Sequence, residues 1–153
     1  MTFEEELRTS GRLVFTNKGV SMMPLLRQNR DIMMIEACES GELRPLDAVL
    51  FTRETEGKKS YILHRILKKN PDGSYWIVGD NCFSGERVER EQIIGRLTAV
   101  VRDGKTISVE DKKYLLYVHL WCDFYPLRFF ILRSRRFLRR GVHFIKRRIF
   151  HEK

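Results

Sequence analysis

Cysteine is scarce in this chain of 153 residues, and its spacing fits no metal or disulfide pattern. The three cysteines are Cys38, Cys82 and Cys122. No two of them have the short separation typical of zinc ligands, and an odd number does not complete a disulfide framework. We therefore expect reduced thiols in a cytoplasmic protein, with no metal or other cofactor.

Long apolar runs are missing as well. Residues 1–6, MTFEEE, have neither the basic start nor the apolar core of a secretory signal. The best candidate for a membrane span, residues 114–132, is interrupted by His119, Asp123, Pro126 and Arg128. Each ionised group near a bilayer centre costs at least ~2.5 kcal/mol on insertion scales, so we expect no transmembrane helix.

The positive charge is concentrated at one end of the chain. The formal net charge is +9, and residues 112–153 hold 12 of the 29 lysines and arginines with only two acids, Asp123 and Glu152. Residues 1–111 therefore carry about one net negative charge. A near-neutral body with a basic tail indicates docking on an anionic partner, and predicts a domain over 1–111 followed by a tail over 112–153.

The body has the pattern of a mostly β fold. A capping box at Thr2 and Glu5 predicts a short helix over 3–10. Apolar, β-branched runs predict short antiparallel strands over 13–15, 32–37, 48–52, 61–67, 75–78 and 95–101. Tight hairpin turns are expected at Asn-Pro-Asp-Gly, 70–73, and at Arg-Asp-Gly-Lys, 102–105.

In the tail the apolar period changes to that of a helix. A shorter helix is expected over 112–124, and a basic amphipathic helix from Pro126 onward. Its polar side carries six arginines predicted to meet lipid: Arg135, Arg136, Arg139, Arg140, Arg147 and Arg148. Such a helix either docks on an anionic membrane surface or packs on the body with its arginines in solvent, and both readings stay open.

Three segments of the body carry residues capable of chemistry. Ser21 lies in a loop before a proline, where its hydroxyl can act as a nucleophile. Strand alternation places His64 on one face with Ile62 and Ile66, where partial burial keeps an imidazole neutral. Asp80 stands in Gly-Asp-Asn after a strand. Each segment alone is also ordinary loop, core or turn chemistry.

In combination and order, these segments resemble the signal peptidase I family of serine proteases, whose fold is shared by LexA-type self-cleaving repressors. The resemblance covers about residues 12–101. Ser21-Met22-Met23-Pro24 is similar to the family's nucleophile box, His64-Arg65 to its base box and Gly79-Asp80-Asn81 to its Gly-Asp-Asn box. Ile93-Ile94-Gly95-Arg96 resembles the stretch that follows.

The resemblance implies a set of roles. Ser21 is the nucleophile, and His64 is the general base, as in the Ser-His type rather than the Ser-Lys type of most bacterial members. Asp80 is the first candidate to orient the imidazole, and Glu86 stands where the family offers a second acid. Should His64 prove dispensable, Lys58 or Lys59 becomes the candidate base.

The predicted substrate is a precursor peptide that loses a leader or signal segment, held between strands by β-augmentation. Met22, Met23 and Met34 are candidates to line its apolar pockets, although each also suits a core position. We expect a cytoplasmic enzyme, peripheral at the inner membrane face.

Two alternatives come from other classes. One is a non-catalytic module that binds membrane or nucleic acid through the tail, with Trp121 and Phe129 available to bases; the absence of a basic face on the body disfavours nucleic acid. The other is a LexA-like self-cleaving regulator, disfavoured because only about ten residues precede the first strand.

Overall fold

A computed structural model of the chain describes residues 2–38, 43–124, 128 and 130–134. The six arginines predicted to meet lipid, from Arg135 to Arg148, lie outside the described residues, as do most residues of the amphipathic helix predicted from Pro126.

The described residues form a mostly β structure, which confirms the predicted fold class. In chain order the elements are α1 (Phe3–Ser10), β1 (Arg12–Thr16), β2 (Ile32–Glu36), β3 (Ala48–Thr55), β4 (Lys58–Lys69), β5 (Tyr75–Val78), β6 (Glu86–Val88), a 3-10 helix (Arg90–Gln92), β7 (Ile93–Arg102), β8 (Lys105–Ser108) and α2 (Lys112–Cys122).

The predicted N-terminal helix has the caps that the sequence indicates. The Thr2 side chain accepts a hydrogen bond from the Glu5 backbone N–H at 3.2 Å, and the Glu5 carboxylate accepts one from the Thr2 N–H at 2.7 Å. Gly11 then ends the helix in the left-handed region, with φ at 72°. Both ends of α1 are thus set by local sequence.

All strand pairs are antiparallel, and the sheet order is β1-β2-β7-β3-β4-β5-β6, with β8 paired to β7. The two predicted hairpin turns join β4 to β5 and β7 to β8. Asp103 and Gly104 have positive φ, 50° and 76°, as a two-residue hairpin turn requires. A third tight turn, at Glu56 and Gly57, joins β3 to β4 and lengthens both strands beyond their predicted ends.

Two strand edges are unpaired in the described part of the chain. Strand β1 pairs only with β2. The first half of β4, residues 58–64, pairs only with β3, since β5 meets β4 from Arg65 onward. An extended peptide placed against either edge finds free backbone donors and acceptors.

Both faces of the central strands are buried, because successive side chains alternate between two apolar clusters. Leu50 of β3 and Leu63 of β4 belong to the first cluster, which also holds Leu7 and Met22. Phe51 and Ile66 belong to the second. Adjacent residues of β4 therefore face different surroundings, which decides where His64 and Arg65 point.

Helix α2 packs into the body rather than standing apart from it. Tyr114, Val118 and Cys122 are buried members of the first cluster. The domain boundary predicted between residues 111 and 112 therefore precedes a helix that shares the body's core. Among the described helices, none combines the length and apolarity needed to cross a bilayer.

Candidate active site

Ser21 lies in the loop between β1 and β2, and this loop is shaped by Asn17. The Asn17 side chain donates to the Gly19 carbonyl at 2.9 Å and accepts from the Gly19 N–H at 3.3 Å. Ser21 is partly exposed. No described residue bonds its hydroxyl or its backbone N–H, so both groups are free to meet a substrate.

The loop after β5 is hydrogen-bonded to the Ser21 loop. The backbone N–H of Asn81 donates to the Ser21 carbonyl at 2.7 Å, and the Asn81 side chain donates to the Val20 carbonyl at 3.1 Å. The turn that carries Gly-Asp-Asn is therefore attached directly to the loop that carries the serine.

Ser21 and His64 converge at Gly79. A Cβ atom built on Gly79 would lie 2.7 Å from the Ser21 carbonyl oxygen, 2.9 Å from His64 Nε2 and 2.7 Å from Cys82 Sγ. All three distances are shorter than real Cβ contacts. Only the missing side chain at position 79 lets the imidazole lie against the serine loop.

His64 is a buried, neutral imidazole. It lies in β4 opposite Val49, its exposed fraction is 8%, and its ring centroid is 5.9 Å from that of Phe51. Burial lowers the pKa of His64 below its usual value of 6.5, the nearby Glu86 charge opposes that shift, and Arg53 reinforces it. The ring is thus unprotonated near pH 7, as a general base must be.

Glu86 is the acid that faces the imidazole. Its Oε1 atom lies 3.5 Å from His64 Nδ1, and it also forms an ion pair with Arg53. The contact with Nδ1 does not have hydrogen-bond geometry, and Nδ1 has no other partner among the described residues. The pair is therefore electrostatic at this distance, and a small movement would make it a hydrogen bond.

Asp80 is buried elsewhere in the same turn, with both carboxylate oxygens occupied. Arg65 binds it through two hydrogen bonds of 2.9 and 2.8 Å, and Tyr117 donates to Oδ2 at 2.9 Å. Neither the Arg65 nor the Asp80 side chain is exposed. No hydrogen bond of the Asp80 carboxylate reaches His64. The position of Asp80 is that of an anchor for the turn.

The C-terminal segment holds the same turn from the other side. Trp121 Nε1 donates to the Asp80 carbonyl at 2.9 Å. The buried Arg128 guanidinium donates to the carbonyls of Gly79 and Cys82, the latter at 3.1 Å. Trp121, a candidate for stacking on bases, is therefore engaged with the protein, and Phe129 lies outside the described residues.

A cleft of about 730 Å³ opens beside Ser21, between the unpaired edges of β1 and β4. Its lining includes Thr16 of β1 and residues 59–63 of β4. Met22 and Met33 line it, whereas Met23 and Met34 do not. Met34 alternates with Met33 along β2, so its side chain faces away from the cleft.

Phe3 of α1 forms part of the wall of this cleft. The Phe3 ring packs on the rings of Phe15 and Tyr61, with centroids 4.8 and 4.6 Å apart. Glu4 accepts hydrogen bonds from Tyr61 and from Lys59 Nζ, the latter at 2.6 Å. The bond to Glu4 raises the pKa of Lys59, so this lysine stays protonated and is a poor base.

The structure therefore brings the Ser21 loop and His64 together at Gly79, places Glu86 beside His64 and engages Asp80 with Arg65. The residues that sequence reasoning missed are the turn's holders, Tyr117, Trp121 and Arg128, and the nearby Cys82, whose thiol pKa is raised by burial. The separate position of Arg65 could have been predicted from the sequence, because alternation along β4 places it on the face opposite to His64. The contacts made by α2 could not, since they join positions far apart in sequence.

Within the described ranges, no three His, Cys, Asp or Glu side chains cluster in a way that would hold a metal ion.

No model of a known protein family matches the chain, and no curated protein matches its sequence. The likeness to signal peptidase I thus rests on the sequence boxes quoted above.

Gly79→Ala should destabilise the fold by about 1–3 kcal/mol, because the new methyl group overlaps a backbone carbonyl and two side chains. Gly19→Ala is the matched control, since its Cβ would meet only ordinary contacts at 3.9 and 4.0 Å. Urea unfolding of both variants measures the difference. Equal stabilities would contradict the close approach at Gly79.

Asp80→Asn should lower the free energy of unfolding by about 3–5 kcal/mol, because it leaves the buried Arg65 charge without its counterion. The double variant Arg65→Met/Asp80→Leu should lose less than the two single changes combined, since no unpaired charge remains. Denaturant titration of Asp80→Asn, of Arg65→Met, of Asp80→Leu and of the double variant tests this. Unchanged stability of Asp80→Asn would argue against an anchoring role.

Proposed function

We propose that this protein is a serine endopeptidase of the signal peptidase I type, which removes a leader or signal segment from a precursor peptide. The observation that carries the proposal is the convergence of Ser21 and a neutral His64 at Gly79, beside a cleft with unpaired strand edges. Nucleophile, base and a place for an extended peptide are the three parts that this reaction needs.

Acylation begins at the Ser21 hydroxyl. His64 Nε2 accepts its proton while Oγ attacks the peptide carbonyl carbon, and the carbonyl π electrons move onto oxygen. The structure contains no hydrogen bond between the hydroxyl and the imidazole within its described residues. Catalytic hydrogen bonds of this kind often tighten only when substrate is bound.

The oxyanion that forms is stabilised by the free Ser21 backbone N–H. When the tetrahedral intermediate collapses, the C–N bond breaks and the imidazolium gives its proton to the leaving amine. Water then attacks the acyl-enzyme with His64 again as base, which releases the carboxylic acid and restores the Ser21 hydroxyl.

The proposal assigns the orienting acid to Glu86 and the anchoring acid to Asp80. Glu86 lies beside Nδ1 and so favours the tautomer with its proton there, which leaves the Nε2 lone pair for Ser21. The negative charge of Glu86 also stabilises the imidazolium formed during attack. Asp80 cannot do the same while its oxygens are bound by Arg65 and Tyr117.

The cleft suits an extended peptide. A chain laid between β1 and β4 finds free backbone groups on both sides, and the nearly buried side chains of Met22 and Met33 contribute to the apolar lining of the cleft. Phe3 and Tyr61 add aromatic surface to the same cleft. Apolar residues before the cut are therefore the preferred substrate chemistry.

We place this reaction in the cytoplasm at the inner membrane face. The basis is the charge distribution, since residues 112–153 carry 12 basic and two acidic side chains beside a near-neutral body. A precursor peptide gathered at an anionic lipid surface would meet the enzyme there.

Ser21→Ala and His64→Ala should each lower cleavage at least about a thousandfold, because each removes a group that acts in the bond-breaking step. The purified chain and its variants are incubated with a proteome-derived peptide library, and new peptide ends are identified by mass spectrometry.

Ser84→Ala and His119→Ala serve as controls, since both residues are exposed and lie outside the cleft. Cleavage that survives in Ser21→Ala would rule out the proposed nucleophile. Cleavage that survives only in His64→Ala would leave the serine but reject this base.

Glu86→Gln should move the acidic limb of the pH profile of kcat/KM to lower pH. The carboxylate raises the pKa of His64, so its removal lets burial lower that pKa further and keeps the base unprotonated in more acidic solution. Peptide cleavage between about pH 5 and 8 measures the limb.

Glu89→Gln is the matched control, because Glu89 is exposed and paired with Arg87 away from the imidazole. Its profile should coincide with that of the unchanged protein. An acidic limb in Glu86→Gln that stays in place, or moves to higher pH, would contradict the assignment of Glu86.

A further inference from the structure

The outer face of α2 carries an apolar stripe that nothing in the described structure covers. Leu116 is 60% exposed, Leu120 is 57% exposed and Phe124, just after the helix, is 56% exposed. Their spacing of four places them along one side of the helical turn. Phe130, in the next helical residues, is 67% exposed. Contiguous apolar surface of this kind usually marks an interaction site.

Helix α2 has a separate buried face, so the exposed stripe is not needed for its packing. Tyr114, Val118 and Cys122 already bury the inner side of α2 in the first cluster. Tyr117 and Trp121 bind Asp80 in the Gly-Asp-Asn turn. The leucines at 116 and 120 are therefore additional apolar residues, on positions where polar side chains would serve folding equally well.

The charge around the stripe identifies its partner. The helix begins with Lys112 and Lys113 and contains no acid from 112 to 122. The nearest acid after it, Asp123, is paired with His119 at 2.9 Å. From residue 112 to the end of the chain, basic side chains outnumber acids by ten. Glu110 and Asp111 come directly before the helix, so the excess of positive charge belongs to the residues that follow it in the sequence. An apolar stripe joined to a strongly basic segment is complementary to an anionic lipid surface.

The same charge argues against a second copy as the partner. Two copies that met through this stripe would bring two strongly positive segments together. A stable dimer also needs about 20–30 residues on each side, far more than one helical stripe supplies. Nucleic acid would use the positive charge but not the leucines.

We propose that the outer face of α2, through Leu116, Leu120 and Phe124, docks the protein on membranes that contain anionic lipid. The three side chains enter the headgroup region, and Lys112, Lys113 and the basic residues that follow α2 in the sequence meet lipid phosphates. Because Tyr117 and Trp121 of the same helix bind Asp80, docking through the outer face also fixes the Gly-Asp-Asn turn relative to the bilayer surface.

The proposal adds an apolar docking surface on α2 to the arginines of the tail that were predicted to meet lipid. Its test needs no peptide substrate. Loss of docking and loss of catalysis are therefore separate results. A chain that binds lipid without cleaving peptide would leave the docking surface standing.

The full chain is mixed with vesicles of phosphatidylglycerol and phosphatidylcholine and sedimented. We expect it to sediment with these vesicles, less so as salt is raised, and to stay in solution with pure phosphatidylcholine. Leu116→Ser/Leu120→Ser should weaken the partition at least about tenfold. Val14→Ser, which changes a similarly exposed residue on β1, should bind as the unchanged protein does.

A second variant reports on the position itself. The tryptophan introduced by Leu116→Trp should add fluorescence that shifts to the blue with anionic vesicles and is quenched by brominated lipid. The unchanged protein supplies the background from its two tryptophans.

Three results would overturn the proposal. The leucine double variant could bind as tightly as the unchanged protein, which would assign lipid binding to the tail alone. The added tryptophan could keep its emission in the presence of vesicles. The free protein could prove dimeric by light scattering and become monomeric in the leucine double variant, which would make the stripe an interface between copies.

Discussion

The buried ion pair of Arg65 and Asp80 is the interaction on which the site depends. Both carboxylate oxygens are bound by the guanidinium, and neither side chain is exposed. A buried charge is tolerated only when it is fully paired, so this turn has one favourable position against β4. The same turn carries Asn81, which holds the Ser21 carbonyl, and Gly79, which admits His64.

Strand alternation divides two neighbouring residues between two tasks. His64 and Arg65 point to opposite faces of β4, so Arg65 takes the Asp80 carboxylate on one face while the imidazole meets Glu86 on the other. Asp80 thus neutralises the buried Arg65 guanidinium. Glu86 acts on the His64 imidazole, whose protonation can change, and at 3.5 Å its charge still interacts with the ring.

Helix α2 joins this site to the surface of the protein. Its inner residues enter the first cluster and bind Asp80 through Tyr117 and Trp121, and its outer residues are apolar and exposed. A helix that is apolar on two faces is expected to have a contact for each of them. Packing explains the inner face, and docking on anionic lipid is the role proposed for the outer face.

Interactions between neighbours in the chain made most of the elements of the body predictable from the sequence. The caps of α1, the turns at Asp103-Gly104 and Asn70–Gly73, and the two-residue period of the strands depend on neighbours in the chain. The order of the serine, histidine and aspartate boxes was equally visible. What only the tertiary structure decided is which acid faces His64 and which residues hold the Gly-Asp-Asn turn. Those contacts join Glu86 to β4 and Trp121 to Asp80, and such distant pairs are selected by packing and charge burial rather than by any local pattern.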